Sequence, residues 1–210
     1  MSEQFLVAWA VDHEALQGAV GSKDAALEKK LLSKKSKVEE LDELFEEYDT
    51  NVRQVIGELV AGHLVVERAG EYRRVLELLG PKLGKSAGPE AVLPGRGWQD
   101  APIISWMKKA KLPKLAAVWS TMAPFPWTKP PKPPKKVPAT FDWPRARFIP
   151  RKDHRALLKE IEAYDIDKAP PLPKRQSGLE PEMALLVAQL GRWLDKAKGT
   201  DLVVLHDGQQ

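Results

Sequence analysis

FLVAWAV, residues 5–11, is free of charge and is broken at once by Asp12 and His13. A run that short cannot span a bilayer. Its aromatic and branched residues suit a strand covered on both faces. Everything from there to residue 85 reads as helix. Asp12 can cap a short helix to Ala19 or Val20, with Gly21 as its stop. Ser22 opens a second helix carrying Ala25, Leu27, Leu31 and Leu32. A third, Lys37 to Tyr48, spaces Val38, Leu41, Leu44, Phe45 and Tyr48 along one stripe. Thr50 or Asn51 caps a fourth that ends at Gly62, and a fifth covers residues 67–79 before Gly80-Pro81 ends or kinks it.

Residues 84–100 read as loop. Ile103 to Val118 has helical spacing interrupted near Pro113, and residues 145–149 form a second strand. A helix from about Asp153 to Ala163, a longer one over 180–197 and a strand at 201–206 complete the chain. The expected class is α+β: predominantly helical, with a small mixed or antiparallel sheet and a long basic excursion rich in proline and tryptophan. A single domain over 1–210 is expected, with 124–144 an extended proline-rich segment inside it. Five helices before residue 85 argue against a doubly wound nucleotide-binding fold.

The net charge of +4 hides a strong asymmetry. Residues 101–152 carry twelve Lys or Arg against one acid, Asp142, and four of the seven tryptophans. Residues 1–100 net −5 and residues 153–210 net −2. Such a distribution bears on partners more than on fold. The chain has no cysteine, which removes disulfides, thiolate metal sites and cysteine nucleophiles. With no basic region before Phe5 and no apolar run of membrane length, a soluble cytoplasmic protein is expected.

Catalytic motifs are missing where they would be sought. Gly80-Pro-Lys-Leu-Gly84-Lys85-Ser86 has three residues between its glycines where a phosphate loop needs four, and it follows a helix. His13, His63, His154 and His206 have no partner at metal-ligand spacing; His206 is the one that falls in an expected strand. The acids of EELDELFEEYD, residues 39–49, alternate with an apolar stripe and read as the wet face of a helix. A docking surface for a basic partner, or for the chain's own basic segment, is the minority reading of those acids. A non-enzymatic protein without cofactor or metal is expected.

Trp106 and Trp119, among aliphatics at helical spacing, read as core. The seven prolines between Pro124 and Pro138 fix φ and remove donors, so polyproline II is expected there. Three roles compete for the segment: docking another protein, contacting nucleic acid, and wrapping the domain. Lysine outnumbers arginine in the proline run, which favours a protein partner over stacked phosphate recognition. The expected partner-binding residues are Trp127, Lys129, Lys132, Lys135, Lys136, Trp143, Arg145 and Arg147. The expected partner is a protein with an acidic surface, with nucleic acid as the alternative and no membrane.

Three stretches carry a family resemblance: FLVAWAVDHEALQGAVGSKD at the start, KLPKLAAVWST followed by prolines and FDWP, and LVAQLGRWLDKAKGTDLVVLHDG at the close. Together they resemble the YfbM-like small bacterial α+β proteins of unknown function and related uncharacterised bacterial proteins. The resemblance implies a fold and a bacterial cytoplasmic setting, and it implies no catalytic residue.

Overall fold

The computed structural model describes residues 4–92, 100–121, 123, 125–129, 132, 135, 144–165 and 180–208. Helices dominate beside one small sheet, so the α+β class holds. The chain divides into two compact units. The first is assembled from residues 1–10, 86–122 and 147–210, the second from 11–85 and 123–146. No helix among the described residues is long and apolar enough to cross a membrane.

The first unit holds most of the sheet. Its central strands are β1 (Gln4–Ala10) and β5 (Leu202–Gly208), antiparallel, with Gln4 opposite Gly208 and Ala10 opposite Leu202. The sheet runs β2 (Lys85–Ser86), β1, β5, β4 (Arg145–Ile149), and β3 (Ala91–Val92) also pairs antiparallel with β1. Register puts Leu6, Ala8, Val204 and His206 on one face, because side chains alternate along a strand. Leu6, Ala8 and Val204 join the apolar cluster formed by α7 (Asp100–Lys109), α8 (Pro113–Trp119), α9 (Arg151–Glu162) and α10 (Glu180–Lys196). Trp106, Trp119 and Trp193 lie in that cluster, in keeping with the core role expected of the first two.

Two tertiary hydrogen-bond sets tie this unit together. The Pro89 carbonyl accepts from Trp193 Nε1 at 3.1 Å and Gln189 Nε2 at 3.2 Å, which fastens the β2–β3 loop to α10. Gly88 beside it has φ +148°, and an added Cβ would stand 3.2 Å from the Trp193 ring, so only glycine fits without movement. Glu160 of α9 supplies the missing cap of α8, accepting from the amides of Lys114 (3.0 Å) and Leu115 (2.8 Å).

The second unit is a helical cluster: α1 (His13–Ala19), α2 (Ala25–Leu32), α3 (Lys35–Glu46), α4 (Val52–Ala61), the 3-10 turn Val66–Arg68, α5 (Ala69–Arg74) and α6 (Leu76–Leu83). Asp12 caps α1 and Asn51 caps α4, as their side chains predict, and Gly62 ends α4 in the left-handed conformation at φ +76°. Leu41 and Phe45 of α3 are buried while Glu39, Glu40, Glu43, Glu46 and Glu47 are exposed, the wet face expected of that helix. Asp42 is the exception, accepting the Val52 amide at 2.7 Å.

Three local expectations change. The α2 cap is Asp24, which accepts from Ala26 and Leu27, while the Ser22 hydroxyl accepts the Asp24 amide. The fifth helix splits at Val75 and then runs through Pro81 to Leu83. Burial of Leu76, Leu78 and Leu79 outweighs the one backbone bond that Pro81 forfeits. The 84–100 loop contains the two-residue strands β2 and β3, too short to leave a period in the sequence.

Candidate functional site

The basic segment begins in the interior of the second unit, next to a polar knot made by α4, the 3-10 turn and α5. Glu58, Arg68 and Tyr72 face one another because α4 and α5 pack as neighbours there. The Tyr72 hydroxyl donates to Glu58 Oε2 at 2.6 Å and accepts the Val65 amide at 3.0 Å. Glu58 also takes an ion pair from Arg68 and a hydrogen bond from Gln54 at 3.1 Å. Burial pushes Glu58 up, but the bonds from Tyr72, Arg68 and Gln54 outweigh it and hold the carboxyl below its ordinary range. Burial, reinforced by the Glu58 carboxylate, raises Tyr72 far above the usual phenol, so its hydroxyl stays a donor.

Onto this knot the segment docks. Phe125 is fully buried, and Trp127 stands edge-on to Tyr72 with ring centres 5.9 Å apart and planes at 76°. The Ala123 amide donates to the Ala146 carbonyl at 2.8 Å, closing the base of the excursion. Residues 125–129 form a turn and bend, which corrects the polyproline expectation at that end of the run. Beyond Trp127, which is half-buried, Lys129, Lys132 and Lys135 are exposed and take no ion-pair partner among the described residues. Lys136 and Trp143 lie outside the described residues.

The two arginines part company. Arg145 is half-buried, but Arg147 is fully buried. Its guanidinium carbon sits 4.3 Å from the centre of the Trp119 ring, and its Nε donates to the Trp119 carbonyl at 2.9 Å. Arg147 therefore offers no surface to a partner and leaves the expected binding set. The reason is a partner 28 residues away, which no local pattern reveals. His206 is likewise fully buried, opposite Leu6 on the core-facing side of the sheet.

A second feature, in the first unit, was not singled out from the sequence. One face of α9 and the turn after α10 flank an open cleft of about 510 Å³. Arg151, His154, Arg155, Leu158, Lys159 and Glu162 recur at helical spacing along that face, with Asp195, Lys198 and Gly199 opposite. His154 is 5% exposed; its Nε2 donates to the Ile149 carbonyl at 3.1 Å, and its Nδ1 has no hydrogen-bond partner among the described residues. The signal lay in the spacing of Arg151, His154, Arg155 and Lys159, which a search for histidine pairs passes over. Among the described residues no group of three or more His, Asp or Glu could hold a metal ion.

Residues 1–206 match a domain of unknown function, DUF7691. The chain belongs to that family. No curated protein and no solved structure matches it. Membership in DUF7691 embraces both the docked basic segment and the α9 cleft, since both fall within the matched span.

Proposed function

We propose that this DUF7691 chain is a non-enzymatic binding module that docks an acidic protein surface through its basic segment. The observation that carries the reading is the contrast across Trp127: Phe125 and Trp127 are held by the second unit, while Lys129, Lys132 and Lys135 stand in solvent. A segment fixed at its base presents its cations at low entropic cost, and a row of ammonium groups steers an acidic partner. An immunity or accessory role is the most specific form of this reading, by analogy with small bacterial domains that lack catalytic motifs, in the bacterial cytoplasmic setting that the YfbM-like resemblance implies. The segment's lysines, with Lys136 and Arg145, make the contact in that form, and Trp143 serves as a second aromatic anchor.

The test replaces Lys129, Lys132, Lys135 and Lys136 by Ser in the full chain. The unmodified protein, purified from its host, should retain a stoichiometric protein after nuclease treatment, and the variant should lose it while keeping its melting temperature. A photo-crosslinker at position 132 should then map to a carboxylate-rich face. A partner that disappears with nuclease, or nucleic-acid affinity whose salt slope falls in the variant, would replace this reading with a nucleic-acid one.

A further inference from the structure

We propose that the cleft along α9 binds a phosphate monoester on a body of sugar or nucleoside size. The cleft is lined by four cations, Arg151, Arg155, Lys159 and Lys198, against two carboxylates, Glu162 and Asp195. Lys198 is ion-paired with Asp195, and the remaining Arg151, Arg155 and Lys159 outnumber Glu162, which suits a phosphate monoester, whose second ionisation lies near pH ~6. Arg151 and Arg155 are one helical turn apart on one face, which brings two planar donor forks within reach of one tetrahedral anion. The helix starts at Arg151, but Asp201 already accepts the Arg151 amide at 2.9 Å, so the arginine side chains and not the helix end hold the anion.

His154 lies between those arginines in sequence and lines the same cleft. With Nε2–H committed to the Ile149 carbonyl, the buried Nδ1 is an acceptor in the neutral ring and a donor in the charged one. Buried polar atoms are almost always paired; Nδ1 is closed to solvent here, and a phosphate that meets it through a shift of the ring can supply either partner, as P–O⁻ or P–OH. At the far end of the stripe, Glu162 accepts from hydroxyl groups beside the Lys198–Asp195 ion pair, and Leu158 gives an apolar contact between the two ends. From Arg151 to Glu162 the helix rises roughly 16 Å. That is longer than phosphate alone and leaves room for the rest of an ester. The volume, about 510 Å³, is of the size that small-molecule sites take.

Calorimetry on the full chain with adenosine monophosphate, ribose phosphate, inorganic phosphate and acetate tests this. Saturable binding of an ester with one site per chain is expected, with phosphate weaker and acetate silent. Arg151→Gln with Arg155→Gln should weaken ester binding about tenfold or more, since both lost contacts are charge-assisted. Both residues are exposed, so the melting temperature should not move. Arg155→Lys keeps the charge, loses the fork and should fall between. The ¹⁵N resonances of the His154 ring should shift when the ester is added. Failure of every phosphate compound to saturate would overturn the proposal. So would an equal response to acetate, ester affinity unchanged in the double variant, or binding of heparin alone at several sites per chain.

Discussion

Glu58 concentrates the second unit's polar chemistry in one carboxylate that serves Tyr72, Arg68 and Gln54. Because its folded pKa lies below the unfolded value, it stabilises the fold above the ordinary carboxylate range. That contribution disappears as pH falls through the lowered value. Glu58→Gln should therefore flatten the acid limb of a plot of denaturation midpoint against pH, besides lowering stability at neutral pH by about 1–3 kcal/mol. Trp127→Ala should cost about 2 kcal/mol, less than a fully buried tryptophan because the ring is half-exposed. Urea titration would show it, and an unchanged midpoint would mean that the ring does not hold the segment. Residues of this kind are the least legible in sequence. Arg147 reads as a surface cation until the Trp119 ring and carbonyl come to it, and His154 reads as solitary until its helix face is seen whole.

Helices and their ends were legible where a side chain acts on its own neighbours. Asp12, Asn51 and Gly62 cap as their types predict, and β1 and β5 fall within a residue or two of the expected strands. Reading failed where the decisive contact is distant. α8 has no cap of its own; its second and third amides are taken by Glu160, some 45 residues away. Glu160→Ala should cost about 1 kcal/mol, as loss of a local cap does, and should speed hydrogen exchange selectively at Lys114 and Leu115. The two-residue strands β2 and β3 escaped for a related reason, since they exist only through pairing with β1.

For the whole molecule, charge asymmetry was readable from composition, but the division into two units was not. Both units interrupt one another along the chain, and the crossings at 85/86 and 122/123 fall in the loop and at the proline-rich segment without composition there pairing the pieces into units. The exposed lysines make a prediction at this scale. Binding of the proposed acidic partner should weaken as ionic strength rises, and replacing Lys129, Lys132 and Lys135 by Ser should lower the association rate more than it raises dissociation. Stopped-flow mixing at several salt concentrations separates the two.

The ladder between β1 and β5 also sets a clock. Gln4 pairs with Gly208, which is made about 200 residues later. At translation rates of 5–20 residues per second, roughly 10–40 s separate the synthesis of the two strands. For that interval each nascent chain carries an apolar strand without its principal neighbour, a ready template for pairing with another chain. Residues 11–85, by contrast, are all synthesised before the basic segment appears. The ribosome thus delivers one strand of the first unit's central pair long before the other.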